Sequence, residues 1–561
     1  MRSTLRRATL LALISLLTTA LVLPAAISAR SDRTATLERW AADTWAGFVA
    51  MTNPETGLPS DNIEGDLDPA TRARYTSPTN IAMYIWATLA ARDLRIITPQ
   101  EARDRIAVTL GSIEELERHE ASGQYYNWYD PDTLEKLTIW PVDGSSVSPF
   151  LSSVDNGWLA SALLMVANGA VPQLRDRAWE LVSGMDFGFY YDPSGNPDAG
   201  TGLIRGGYWP EVPIGQVATR TNGPTNCEER RRADPNAVPP RPEPDPAFAG
   251  WTCHHYGAFN TEPRIASYIG IALGQIPSDH YFGGWRTFPD TCPWSWPETR
   301  PIGEWVDYTA NGKSLHVFEG AYPYDDQLVV PTWGGSSFEA FMVPLVVPEE
   351  EWGPASWGIT HPLYAESMIE YGLDEALYEY WGHSPSSNPA GGYREYGIDY
   401  IGMEPNGYTS DTSVSPDGNP AHPDRLTLVD PGWDDPNCYR EPDPIEEYGE
   451  GVVTPHASAI ALDFAPEAAF ANLVNLETDF VTEETGFPDL YGPGGFKDAV
   501  NVATGEVADR YLSLDQGMFM AAVANELRND RLQHYFSHGA VERALKPLMA
   551  MEEFGAGRME P

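Results

Sequence analysis

Three carboxylates stand at the starts of apolar, helix-forming stretches. Asp155 lies in Ser152-Ser153-Val154-Asp155-Asn156-Gly157-Trp158-Leu159, Glu339 in Gly334-Gly335-Ser336-Ser337-Phe338-Glu339, and Asp515 in Leu514-Asp515-Gln516-Gly517. Asn127-Trp128-Tyr129-Asp130 precedes the first of them, so acids alternate with aromatic rings along the chain. Glycosidic bonds are broken by paired carboxyl groups, and sugar rings stack on aromatic faces. The combination points toward a sugar-cleaving cleft.

Each acid also has a plainer reading. Ser152 or Ser153 can cap a helix whose first-turn Asp155 complements its positive end, and on local pattern alone that reading leads. Glu339 carries the same ambiguity, with Ser337 as the cap. Around it, however, Phe338, Phe341, Met342 and Leu345 define a buried face, and Gly334-Gly335 lets backbone approach a ligand closely. A carboxyl wedged among such side chains is pushed toward its protonated form, the state a general acid needs. A third cluster runs from Tyr380-Trp381-Gly382-His383 through Tyr393-Arg394-Glu395-Tyr396-Gly397 to Asp399. It reads either as a sugar-binding wall, with Arg394 orienting Glu395 or Asp399, or as a salt-bridged structural loop. Asp515 brings a further carboxylate and Gln516 an amide.

Other chemistries find no support. A Gly-x-Ser-x-Gly elbow, a P-loop and a His-Glu-x-x-His helix are all absent. The side chains of the adjacent pair His254-His255 diverge, so no metal centre is expected there. Asp130-Pro131-Asp132 and Asp434-Asp435 lack EF-hand spacing; a structural calcium stays open, and no catalytic metal or cofactor is expected.

The elements that must position these residues read as helices separated by loops. Helical signals span Leu37 to Met51, Asn80 to Asp93, Pro99 to His119, Val154 to Val166, Gln173 to Met185, Arg264 to Ala272, Ser337 to Leu345, Pro362 to Gly372, Pro455 to Leu462, Pro466 to Leu476 and Leu514 to Leu527. Thr98-Pro99, His361-Pro362, Thr454-Pro455 and Ala465-Pro466 place Pro where its missing N–H costs nothing. Strand-like alternation is scarce and no fixed repeat period is visible, which disfavours a solenoid. The economical architecture is all-α: a toroid of helical hairpins with long aromatic- and Pro-rich loops on one face, in one domain from residue 30 to 561. Insertions are expected near 218–252, 289–332 and 404–451, and Glu228 through Pro246 reads as floppy.

Composition narrows the setting. With 36 basic and 80 acidic residues the chain carries a formal charge of −44, which repels phosphate backbones and anionic lipid. Arg2, Arg6 and Arg7 followed by an apolar run to Leu23, Pro24 and small residues ending near Ala29 form a secretory signal over 1–29. Secretion without stable membrane insertion is the expectation. Cys227, Cys253, Cys292 and Cys438 are an even count in an exported chain, so two disulfides of undetermined connectivity are expected.

At this point the blocks resemble the glycoamylase-like domain family and its relatives, the bacterial endo-β-1,2-glucanases and the transglycosylating domain of cyclic β-1,2-glucan synthases. The blocks are Asn127 to Asp130, Ser153 to Leu159, Asn260-Thr261-Glu262-Pro263-Arg264 through Ala272, Trp333 to Glu339, Tyr393 to Gly397, Thr454-Pro455, Gly495 to Ala499 and Asp515-Gln516-Gly517. They occur in the family's order from about residue 75 to residue 530. The resemblance implies an (α/α)6 barrel, a proton donor in the block of Glu339 and a second essential acid where Asp155 stands, with Glu395 and Asp515 as further catalytic candidates. The implied sugar-contacting set is Trp128, Tyr129, Trp158, Glu262, Arg264, Trp333, Trp381, Tyr393, Arg394, Tyr396, Asp399 and Gln516. Glucanase relatives tend to carry Glu at the position of Asp155. The implied activity is a glycoside hydrolase on a β-glucan such as β-1,2-glucan, leaning to inversion; transglycosylation on the same substrate class and a non-catalytic carbohydrate-binding surface protein are the alternatives.

Overall fold

The fold was analysed in a computed structural model, which describes residues 32–196, 199–210, 250–252, 255–287, 301–403 and 451–559. The signal segment, the four cysteines, His254, Asp434-Asp435 and the stretch from Glu228 to Pro246 lie outside the described residues, as do most of 218–252 and 404–451.

The helices used below are α1 (32–51), α2 (Pro78–Asp93), α3 (Pro99–Glu115), α4 (Ser153–Met165), α5 (Arg175–Ser183), α6 (Arg264–Ala272), α7 (Ser337–Phe341), α8 (Trp357–Glu370), α9 (Pro455–Ile460), α10 (Pro466–Asp479), α11 (Ser513–Arg528) and α12 (Ala540–Met549). Two sets emerge from their packing. In the first, α2 packs on α4, α4 on α6, α7 on α9, α9 on α11, and α11 returns to α2. The step from α6 to α7 is made by Arg264, whose guanidinium donates to the carbonyls of Glu339 and Ala340 at 2.9 and 2.8 Å. In the second set, α3, α5, α12, α8 and α10 each back one member of the first, against α2, α4, α6, α7 and α9 respectively.

Burial explains the division. Helix α2 is buried without a break from Pro78 to Ala91, and α4 is apolar nearly all round, as expected of helices enclosed by a second layer. Trp86 of α2 meets Trp158 of α4 edge to face at 5.5 Å. A side chain at Gly157 would come within 2.9 Å of Ala266, so glycine there sets the close approach of α4 to α6. No single helix among the described residues is long and apolar enough to cross a membrane.

Two expectations are corrected. The chain is helix-rich but not all-α: Ile302–Ala310 and Lys313–Tyr324 form a long antiparallel hairpin, extended by Gln327–Val329 and closed at its edge by Gly557–Arg558. Its turn is Asn311-Gly312, both at positive φ (50° and 72°), the pair that a two-residue hairpin turn favours. The described part of the 289–332 segment is therefore this sheet. The other correction concerns Pro362, which does not open a helix; α8 begins at Trp357 and carries Pro362 inside it.

Candidate functional site

The three helix-start acids occupy the same rung. Asp155, Glu339 and Asp515 are each the third residue of their helix, in α4, α7 and α11. Ser152 and Ser336 are the caps, their hydroxyls accepting from the N–H of Asp155 at 3.2 Å and of Glu339 at 3.4 Å. Short ladders pin these starts. Leu151–Ser152 pairs with Gly207–Tyr208, and Asn62–Glu64 pairs with Arg510–Leu512, which brings Asp61 beside α11. Val452–Val453 pairs with Val500–Asn501, setting His456 of α9 beside Asp498. Ahead of Glu339, Gly335 stands at φ 70° with its carbonyl accepting from Ile398 N at 2.9 Å, and a Cβ there would strike the Ile398 carbonyl oxygen. That contact ties the loop of Tyr393 and Glu395 to the start of α7.

The carboxylates converge. Asp155 feels the field of Glu262, Glu262 that of Glu339, and Glu339 that of Glu395. Tyr393 faces Glu395 and Asp515 together, Asp515 faces Asp498 and Asp61, and Asp61 faces Asp155. These pairings close a ring of acids. Asp155, Asp61 and Glu395 are surrounded by protein yet only half-buried, and Tyr393 keeps 53% of its surface exposed, which is how side chains in a concave cleft behave. Burial pushes the carboxyls of Asp155, Asp61 and Glu395 up from their ordinary values.

Glu262 and Glu339 form the tightest pair. Glu339 is pushed up to about 7, chiefly by burial. Its Oε2 accepts from the Glu262 backbone N–H at 2.7 Å and from the Thr261 hydroxyl, both of which favour its charged form. Glu262 is driven further up, by burial first and then by the charge of Glu339, against one favourable contact from Trp158 Nε1 to its Oε2 at 2.5 Å. Like charges this close ionise in sequence, and the two donors on Glu339 against the single one on Glu262 favour placing the first charge on Glu339. Two tyrosines that sequence reasoning missed close the same corner. Tyr256 faces Glu262, Asp155 and Glu339, and the buried Tyr190 hydroxyl faces Asp155 and Tyr256. Separated by tens of residues in loops and turns, they carry no local signal.

The expected sugar-contacting residues divide. Trp128 is half-buried and packs with Tyr75 and Trp140 at 5.5 and 5.3 Å, a three-ring group at the Asp61 and Asp155 side of the ring. With its amide nitrogen turned toward the carboxylate, Asn127 donates to Asp155 Oδ2 at 2.7 Å. Trp333 is half-buried beside Ala258, Tyr322 and Met403, Arg394 is half-buried, and the Asp399 side chain lies outside the described residues. Tyr129, Trp158, Trp381 and Tyr396 are buried and cannot offer a face to a sugar. The Tyr129 hydroxyl donates to the Glu117 carbonyl at 2.6 Å, Trp158 serves Glu262, and the Tyr396 hydroxyl accepts from Asn388. Arg264 is a structural pin, bidentate to the buried Glu349 at 2.8 and 2.9 Å. Gln516 is also buried, its amide donating to the Phe496 carbonyl at 2.7 Å. The oxygens of Asp130 accept from Asp132 N, Thr133 N and Arg74, so this residue holds a turn and an ion pair rather than standing ready for calcium.

Comparison with known proteins upholds the resemblance seen in the sequence blocks. Residues 350–540 match the glycoamylase family model, described as "Putative glucoamylase", and residues 39–187 match a model described as "Protein of unknown function (DUF3131)". The cyclic β-(1,2)-glucan synthase NdvB of Rhizobium meliloti is 32% identical over 126 residues, a stretch that is 22% of this chain and 4% of that protein. Among solved structures, a Bacteroides caccae protein under the same glucoamylase description has a TM-score of 0.56 at 17% identity, covering 94% of this chain and 100% of that one. An endo-β-1,2-glucanase from Chitinophaga pinensis, solved with sophorotriose and glucose, has a TM-score of 0.56 at 13% identity over 92% and 98% of the two chains. One from Talaromyces funiculosus, solved with β-1,2-glucan, has a TM-score of 0.54 at 10% identity over 94% and 92%. At these identities the likeness is one of fold.

Proposed function

We propose that this chain, a glycoamylase-like protein in fold and in part of its sequence, is an exported glycoside hydrolase that cleaves a β-glucan, with β-1,2-glucan the first substrate to try. The cleft would open at one end of an (α/α)6 toroid. The observation that carries this reading is the closed ring of acids around the Glu262–Glu339 pair, with the Tyr75, Trp128 and Trp140 rings beside it. The solved glucanases of the same fold and the glucan synthase match support the substrate class.

The proton is placed on Glu262 because Glu339 has two hydrogen-bond donors holding its charge and Glu262 has one. Glu262 gives its proton to the leaving glycosidic oxygen as the anomeric C–O bond breaks, and charged Glu339 holds that proton in place until then. This moves the donor from Glu339, where the family blocks put it, to its neighbour. Water attacks the anomeric carbon and passes a proton to a carboxylate across the ring, Asp155, Glu395 or Asp515, and the product inverts. Sugar rings lie on Trp128, Trp140 and the open face of Tyr393.

The test is oligosaccharide release by the purified chain from β-1,2-glucan and a panel of other glucans, read by chromatography, beside Glu262→Gln and Glu339→Gln. Release that Glu262→Gln abolishes and Glu339→Gln cuts about 100-fold supports the reading; no release from any glucan, or release that neither changes, sinks it. The match to a glucan synthase favours a second outcome of the same assay, transfer to another sugar, seen as products longer than the substrate or as rings.

A further inference from the structure

One side of the acidic ring holds a different chemical set. His456, Asp498 and Asp515 are all buried, and one ring nitrogen and one oxygen from each carboxylate lie within 4.8 Å of one another. Asp498 Oδ1 and Asp515 Oδ2 have no donor from any other residue, and the two carboxyl groups lie within hydrogen-bonding range of each other. A buried carboxylate oxygen left bare is destabilising by at least ~1–3 kcal/mol, so two of them side by side call for a positive partner. Lys497, the neighbour of Asp498, does not supply it, because its ammonium turns to Asp509 at 2.6 Å. Asp61 adds more negative charge to the same spot.

We propose that His456, Asp498 and Asp515 form a binding site for one divalent first-row transition ion of the Zn2+ or Mn2+ class. The ligand atoms are His456 Nδ1, Asp498 Oδ1 and Asp515 Oδ2. Nδ1 stands 3.4 Å from Asp515 Oδ2. Tetrahedral bonds of about 2.0–2.1 Å require ligand atoms about 3.3–3.4 Å apart, so the pair is spaced for such an ion. One imidazole with two carboxylates suits Zn2+ or Mn2+, whereas Ca2+ takes oxygen ligands throughout and Cu(I) prefers sulfur.

The surroundings hold each ligand in place. Asp498 Oδ2 accepts from the Ser387 backbone N–H at 2.6 Å, which leaves Oδ1 to the set. Nδ1 offers a lone pair when the ring proton sits on Nε2, and Ser384 Oγ at 3.0 Å is there to accept it, the outer partner that ligating histidines use. Thr454 Oγ1, which donates to the Asp498 carbonyl at 2.6 Å, stands 2.7 Å from Nδ1 and is the atom an entering ion must displace or recruit as a further ligand. The three ligands are positioned by helix α9, the Val500–Asn501 ladder and the start of α11, and only Asp515 is shared with the ring of acids; ion binding is therefore read separately from glycan cleavage.

The test uses the full chain, stripped with EDTA and titrated calorimetrically with ZnCl2 and with MnCl2. The expected result is one ion per chain with a rise in Tm. Asp498→Asn and His456→Gln should weaken binding about 100-fold, while Asp104→Asn, on the exposed face of α3, should leave it unchanged. Circular dichroism of each variant separates lost binding from lost folding. Saturation by neither ion up to roughly 1 mM overturns the proposal, as does binding that Asp498→Asn and His456→Gln leave intact. A protonated-carboxyl infrared band at neutral pH that Asp498→Asn removes would give the gap to a shared proton instead, and overturn it equally.

Discussion

The backbone N–H of Glu262 donates to Glu339 Oε2 at 2.7 Å, so one carboxylate is held by the main chain of the residue that bears the other. The two side chains cannot be moved apart without unmaking the turn that leads into α6. Their ionisation is therefore linked through a fixed geometry.

Replacing Glu339 by Gln removes the charge that raises Glu262. The acid group of a general acid must be protonated to work, so the alkaline limb of kcat/KM should move to lower pH, and kcat should fall about 100-fold. The measurement is a pH–rate profile on released oligosaccharide.

Trp158→Phe acts in the opposite direction. The indole N–H stabilises the charged form of Glu262, and without it the proton is held more tightly. The alkaline limb should move up, with KM unchanged because Trp158 is buried and touches no sugar. A rise in KM alone would mean a stacking role after all.

Arg264→Met should appear in stability rather than in KM. The guanidinium and Glu349 are both buried and bidentate, and breaking such a pair from one side is destabilising by about 3–5 kcal/mol. Thermal melts should show the loss, and any folded fraction should keep its KM.

The stability contributed by two buried acids, Glu319 and Glu350, should decline between about pH 5 and pH 8. Burial pushes Glu319 up to about 8, where one Arg286 guanidinium faces both Glu319 and Glu552, and burial holds Glu350 up to about 8 as well. Because these folded-state values lie above the unfolded ones, the fold binds more protons than the unfolded chain. That stability is full below the ordinary carboxyl value and lost as pH rises through the folded one. Glu319→Gln should raise Tm by about 1–3 °C at pH 8 and leave it unchanged at pH 5.

Trp128→Ala and Trp140→Ala should raise KM for long glucans by about 10-fold with little change in kcat, since the three-ring group lies beside the reacting centre rather than in it. Comparing a long glucan with a short oligosaccharide checks this.

Much of the scaffold was legible because helix starts carry local chemistry. Arg264–Ala272 falls where the apolar period put it, and Thr98 caps Pro99–Glu115 as its hydroxyl suggests. The site was legible only as a set of acids on helix starts. Which face of α4 turns inward depends on its neighbours, and so Trp158 reads like a sugar platform in the sequence but lies between α2 and Glu262 in the fold. Glu262 and Arg264 are two residues apart, yet one faces the ring of acids and the other a buried Glu349, a difference set by how α6 meets α7. Asn311-Gly312 is a local hairpin signal that reading 289–332 as an aromatic- and Pro-rich loop leaves out.

The return of α11 onto α2 has a kinetic consequence. The contact joins segments more than four hundred positions apart, and loop closure of that length comes late in folding. Asp61 and Asp515 meet only at that seam, through the pairing of Asn62–Glu64 with Arg510–Leu512. Without that seam Asp61 and Asp515 stand apart and the ring of acids is open on one side, so a chain cut short of α11 should lack a complete ring.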